Sequence, residues 1–263
     1  MTPVSVIPGS SPLILAQPHS GTWLPDEVLT VLNEDARGLI DTDWHIPELY
    51  EGLVGDATIV RANFSRYVID ANRPPDGASL YPGQNSTGLV PLSDFDDRPL
   101  WHSPPDAQEI DRRIALYYRP YHLALEQEIA RVKASHGFAV LYDCHSIRSQ
   151  IPFLFEGTLP DLNIGTNSGE SCAPALERAV AGVCAEAEGY TSVLNGRFKG
   201  GWTTRHYGHP ETGVHAVQME IAQSAYLVSE EPPFAVCPEK SVRLRQVLAQ
   251  VLAAIAATFG EIA

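Results

Sequence analysis

Four stretches of this sequence deliver polar or ionisable side chains at the ends of apolar runs. Residues 12–17 lead into Pro18-His19-Ser20-Gly21, and residues 66–70 lead into Ala71-Asn72-Arg73-Pro74. Residues 138–141 lead into Asp143-Cys144-His145-Ser146, and residues 214–219 lead into Glu220. In open α/β sheets ligands bind beyond the carboxyl ends of the strands. One strand-end His or Asp is more often a loop hydrogen-bonder, but four such ends together describe a site. Strand alternation sharpens the pattern. Asp143 and His145 share a face, while Cys144 points to the other and reads as a packing residue. Ala216, Gln218 and Glu220 share one face of the late strand, and Val217, Met219 and Ile221 share the apolar one.

Imidazole and carboxylate at strand ends suit a hydrolytic metal. Catalytic zinc takes three protein ligands and leaves one position open for water. His19 and His145 are the imidazole candidates. The third ligand is open among Asp43, Glu48 and His45, all in the stretch DTDWHIPE, and Asp43 could instead cap the following helix. A carboxylate in the late strand is costly to bury unless paired or near a cation. Glu220 is therefore either a core ion pair with Arg205 or Lys199, or a general base beside an activated water. No HExxH, paired CxxC, GxSxG, GxGxxG or GxxxxGK[ST] pattern is present, which removes the local signatures of several other chemistries.

The elements needed to hold these groups alternate along the chain. Strands are expected at 12–17, 58–61, 66–70, 138–143, 192–194 and 214–221. Helices are expected at 25–37, 43–53, 105–136 with a break near Pro120, 173–188 and 240–259. Residues 76–103, rich in Gly, Pro, Ser and Asp, form a long loop, which in a compact domain usually carries function. The alternation predicts an α/β fold with an at least partly parallel sheet. No break in composition divides the 263 residues, so they read as one domain, 1–263. The 18 Lys and Arg against 32 Asp and Glu give a net charge of −14, which argues against nucleic acid or an anionic membrane as partner. It leaves room for a small anionic substrate in a local basic pocket. The start of the chain lacks the basic and apolar regions of a signal peptide, and no apolar run approaches ~18 residues. Cys144, Cys172, Cys184 and Cys237 form no CxxC pair. A reduced, cytoplasmic setting is the simplest expectation.

Several motifs resemble the N-formylglutamate deformylase (N-formylglutamate amidohydrolase) family. They are DCHSIRS at 143–149 with its continuation to Gly157, PHSG at 18–21, DANRP at 70–74, NGRFKGG at 195–201, TRHYG at 204–208 and QME at 218–220. The likeness spans roughly residues 10–255. It implies a metal-dependent amidohydrolase that converts N-formyl-L-glutamate to formate and L-glutamate in histidine degradation. It also implies the three-layer α/β sandwich with a mixed, mostly parallel sheet that zinc carboxypeptidases and aspartoacylase share. Those relatives usually carry an HxxE ligand pair, whose acid is absent after His19. Asp43 is then the preferred third ligand, with one divalent metal, zinc by expectation, on His19, Asp43 and His145. The resemblance makes Glu220 the base and Asn72-Arg73 the grip on a substrate carboxylate. A second carboxylate needs Arg148 or Arg205, and His206 with Tyr207 lies in a Gly-rich stretch that could close over the dicarboxylate substrate. Other outcomes kept open are a deacylase of N-acetyl or N-formimidoyl amino acids and a metal-binding protein without turnover. Arg66, Arg73, Arg148, Arg197, Lys199 and Arg205 all fall inside these segments, so convergence of even three would give an acidic protein a cationic pocket.

Overall fold

Seven strands make one sheet in a computed structural model that describes residues 2–263. In chain order they are β1 (Val4–Ile7), β2 (Leu13–Gln17), β3 (Thr58–Ala62), β4 (Ala139–Ile147), β5 (Leu162–Gly165), β6 (Ser192–Leu194) and β7 (Val214–Ala222). Their order across the sheet is β1-β3-β2-β4-β7-β5-β6. The four central strands run parallel, β1 and β5 pair antiparallel to β3 and β7, and β6 runs parallel to β5. The sheet is thus mixed and mostly parallel, as expected. β4 and β7 are buried at every position, as central parallel strands covered on both faces must be.

The helices are α1 (Asp26–Leu29), α2 (Ile46–Tyr50), α3 (Ala107–Arg113), α4 (Arg119–His136), α5 (Pro174–Glu186), α6 (Trp202–Tyr207), α7 (Pro238–Ala257) and α8 (Phe259–Ile262). They cover the sheet in two layers. Val140, Tyr142, Val217 and Met219 pack one sheet face against apolar residues of α2, α5 and α7. Ala139, Leu141 and Ala216 pack the opposite face against Tyr121, Leu125, Ile129 and Val132 of α4. The strand period therefore sends Cys144 and Met219 into one core and aims Asp143, His145, Gln218 and Glu220 along the α4 side. By length and composition, residues 238–262 could cross a membrane. Here Leu244, Leu248, Val251 and Ile255, spaced three and four apart, are instead buried against the sheet.

Several boundaries differ from the sequence reading. Residues 66–70 are not a strand: Ser65 begins a turn in which the Val68 amide donates to the Ser65 carbonyl at 2.9 Å. The apolar residues Tyr67, Val68 and Ile69 are buried all the same, so burial imitated a strand signal. Helix at 43–53 shrinks to α2 because His45 takes a left-handed conformation, φ 59°, just before it. The helix expected at 105–136 begins at Ala107 and then runs unbroken to His136. Ahead of Pro120, which has no amide to donate, residues Ile114–Tyr118 widen into a π-helical turn instead of breaking. Residues 76–103 contain no helix or named strand. β1 and β5, short strands toward the sheet edges, carried no recognised signal.

Candidate active site

His19 lies two residues beyond β2, and its carbonyl accepts from the Asp43 amide at 3.1 Å, which ties the segment before α2 to that strand end. His145 sits within β4, one strand over. Asp43 closes the group: its Oδ2 is 3.0 Å from His145 Nδ1 and 3.7 Å from His19 Nδ1. Among the described residues, His19, Asp43 and His145 are the group whose ligand atoms lie within 4.8 Å of one another, and all three are buried. The far ring nitrogens are held from behind. His19 Nε2 donates to Asp70 Oδ1 at 2.7 Å. His145 Nε2 is 3.0 Å from Asp143 Oδ1 and 3.0 Å from Asn72 Nδ2. An imidazole with a carboxylate behind it and its other nitrogen turned to a shared point is the usual construction of a metal-ligating histidine.

The electrostatics agree with the geometry. Burial acts to raise the Asp43 carboxyl, but hydrogen bonds and charge from His145 and His19 outweigh it and hold it below the carboxylate range. Burial likewise opposes ionisation of Asp70, and His19, Arg73 and Arg66 overcome it. Burial acts to lower His145, yet Asp143 and Asp43 push it well above an ordinary histidine. Three carboxylates around two imidazoles make a field that favours positive charge. Asp43 Oδ1 is buried without a hydrogen-bond partner, and the cation near it, Arg66 Nη1, stays 3.8 Å away. An orphaned anionic oxygen of this kind is expensive unless a cation meets it, so the donor set fits a divalent metal.

Glu220 stands beside this group because β4 and β7 pair in register, His145 opposite Glu220. Burial drives its carboxyl up from the ordinary value, with the charge of His145 opposing. Gln218 Nε2 donates to Glu220 Oε2 at 3.1 Å, and Gln218 Oε1 accepts from the Gly201 amide at 2.6 Å. The same pocket is lined by His19, Asn72, Arg73, His145, Arg197 and Glu220, with Arg66 also reaching it. Asn72 Oδ1 accepts from the Thr203 amide at 2.7 Å, which aims its amide nitrogen at His145. Gly201 is required there, since a Cβ would come within 2.2 Å of that Asn72 nitrogen. Gly165 is required where the same loop crosses β5, because a Cβ would meet the Gly200 amide at 2.6 Å.

The remaining expected residues fall elsewhere. Glu48 is exposed, and His45 Nε2 is 2.9 Å from the Phe234 carbonyl, so Asp43 alone of the three alternatives turns toward the histidines. Asp43 is not a helix cap, as α2 has no side-chain cap. Arg148 does not line the pocket: it pairs with Asp96 at 3.1 Å and lies 3.8 Å from Asp41. Arg205 braces the loop, donating to the carbonyls of Gly200 and Leu80 beside the Tyr81 ring. His206 is exposed and stacks on Trp202, ring centroids 4.4 Å apart, outside the pocket. Glu220 makes no ion pair with Arg205 or Lys199. Sequence reasoning passed over the supporting role of Asp70, which seemed to close a strand, and of Asp143, whose shared face with His145 was the available signal. The cations that do reach the pocket are Arg66, Arg73 and Arg197.

A three-layer α/β sandwich that gathers a buried His-Asp-His group able to hold a metal, and a buried glutamate, at the carboxyl ends of its central strands has the layout of a hydrolase. More narrowly, the chain belongs to the N-formylglutamate amidohydrolase family, whose model matches residues 11–227. It is 49% identical over 253 residues to an N-formylglutamate deformylase of Pseudomonas aeruginosa, covering 95% of this chain and 94% of that one. It is 48% identical, at the same coverage, to an N-formylglutamate deformylase of Pseudomonas putida. Its fold is similar to the crystal structure of N-formylglutamate amidohydrolase from Ralstonia eutropha, with TM-score 0.83 and 26% identity over 99% of this chain and 100% of that one.

Proposed function

We propose that this protein hydrolyses N-formyl-L-glutamate to formate and L-glutamate as a step of histidine degradation, in the cytoplasm. The observation that carries the reading is near-half identity, over 95% of this chain and 94% of theirs, to enzymes that bear that activity's name. The site supports it. A divalent metal, zinc in this reading, held by His19, Asp43 and His145, would supply Lewis-acid polarisation and lower the pKa of water.

The chain's own residues do the rest. Glu220 takes a proton from the water that attacks the formyl carbon, a role its raised carboxyl suits. When the C–N bond breaks, Glu220 returns that proton to the departing amine. Asn72 lines the pocket with its amide nitrogen 3.0 Å from His145 Nε2, and with Arg73 it grips a substrate carboxylate. Arg73 retains free N–H donors beyond those given to the Thr87 carbonyl and hydroxyl and the Asn72 carbonyl, and it binds a carboxylate. No nucleic acid or membrane enters this reading; the partner is a small dicarboxylate.

The test is to compare formate release from N-formyl-L-glutamate with acetate release from N-acetyl-L-glutamate and with turnover of N-formimidoyl-L-glutamate. Formate release is expected to dominate kcat/KM. Faster turnover of either other compound would transfer the assignment to that deacylation. Arg73→Ala is expected chiefly to raise KM; an unchanged KM would make Arg73 structural.

A further inference from the structure

Three guanidinium groups line the pocket; Arg66 is paired with Asp70, and the other two, Arg73 and Arg197, are under different constraints. Arg73 shares a carboxylate: its Nη1 is 3.9 Å from Asp70 Oδ2, and Asp70 also holds His19 and Arg66. That chain of contacts places Arg73 at the catalytic end of the pocket. Arg197 comes from a different segment, the loop after β6. This loop is fixed by Asn195, whose side chain accepts from the Thr166 amide and donates to the Thr166 hydroxyl. Arg197 Nε donates to the Leu154 carbonyl at 3.1 Å and Nη2 to the Asn85 carbonyl at 2.9 Å. Its guanidinium carbon lies 5.2 Å from the ring centroids of both Tyr81 and Phe198.

Among the described residues no carboxylate pairs with Arg197, and its Nη1 is buried with no hydrogen-bond partner. Carbonyls and aromatic faces orient a guanidinium without neutralising it. Burial lowers the Arg197 pKa and the nearby charge of Arg73 adds to it, while Tyr81 and Glu220 act the other way without pairing with it. Arginine stays charged under such pressure. A held, unpaired arginine with one unused edge is a receptor for a planar anion.

We infer that Arg197 is the specificity residue for the substrate's side-chain carboxylate, while Arg73 holds the carboxylate beside the scissile amide. This rests on the proposed function and narrows it to N-formyl amino acids with a second, distal carboxylate. A neutral isostere such as N-formyl-L-glutamine leaves the Arg197 Nη1 unsatisfied and is discriminated against for that reason.

The experiment measures kcat and KM of the metal-loaded wild type, Arg197→Met, Arg197→Lys and Arg73→Met on N-formyl-L-glutamate and N-formyl-L-glutamine. Metal content and Tm are checked for each protein. Arg197→Met is expected to lose about 100-fold in kcat/KM on the diacid, mostly through KM, and to change the glutamine compound by less than about threefold. Arg197→Lys is expected to recover part of the loss, and Arg73→Met to impair both compounds. An unchanged diacid preference in a folded, metal-replete Arg197→Met protein overturns the inference. If the wild type releases no formate from either compound, the proposed function fails instead. The inference is then decided by calorimetric binding of L-glutamate against L-glutamine, with a preference for glutamate that Arg197→Met must abolish.

Discussion

The segment from Asp70 to Arg73 runs between two histidine clusters. On one side, its Asp70 and Asn72 side chains meet His19 and His145. On the other, the Ala71 carbonyl accepts from His122 Nε2 at 2.9 Å and the Arg73 carbonyl accepts from the Tyr118 hydroxyl at 2.9 Å. His122 Nδ1 is 2.8 Å from the Tyr207 hydroxyl, and His206 stacks on Trp202 nearby. The first pair of imidazoles is backed by carboxylates and turned to a third. Among the described residues, the second pair has no carboxylate hydrogen-bonded to its rings: the Ala71 carbonyl, the Tyr207 phenol and the Trp202 indole meet them, and Glu126 acts on His206 only through its charge. Burial then decides the outcome, lowering His122 to about 4 and leaving it neutral, while the carboxylates push His145 up. Burial alone does not tell a ligand from a packing histidine. The charge behind the ring does.

The strongest test of this contrast is removal of one histidine from each cluster. His145→Ala is expected to lose the metal, measured by elemental analysis, and to lose formate release to the detection limit. His122→Ala should keep full metal content. Equal metal loss from both would break the comparison. Glu220→Gln, next in size, should retain metal and lower kcat by about 10²–10⁴, the range for a positioned acid–base group. Asp70→Asn removes charge behind His19 and is expected to weaken metal affinity by about 10–100-fold in a chelator competition.

Acid stability sharpens the other side. His122 has a folded pKa of about 4 against an ordinary 6.5, so as pH falls the unfolded chain takes the proton first. Its contribution is complete above pH 6.5 and is lost progressively toward pH 4, amounting to roughly 3 kcal/mol at most. The Tm of His122→Gln should therefore fall less than wild type over that window; parallel curves would mean that His122 is not buried neutral. The smallest effect is reserved for His206→Ala, expected to change kcat/KM by less than about threefold, since the ring is exposed and stacks outside the pocket.

The catalytic strands were legible because a period of two and an abrupt switch from apolar to polar residues report their own position. His19, His145 and Glu220 stand out in this way, and pairing of β4 with β7 brings the last two abreast. Asp43 was ambiguous beside Glu48 and His45, because a backbone turn at His45 decides which of them faces the strands. The basic residues were least legible. Arg148, Arg197 and Arg205 occupy similar motif contexts, but contacts distant in sequence send Arg148 to Asp96, Arg205 to the loop carbonyls and Arg197 into the pocket. Residues 66–70 misled for a related reason: an apolar run records burial, and a buried turn is as apolar as a strand.

The central claim is that the carboxylate-backed histidines hold a metal on which N-formylglutamate hydrolysis depends. The direct measurement is formate release from N-formyl-L-glutamate by protein stripped with a chelator, then titrated with zinc. Activity is expected to vanish on stripping and return in proportion to zinc, saturating at one ion per chain. Undiminished formate release from protein with no measurable divalent metal would contradict it.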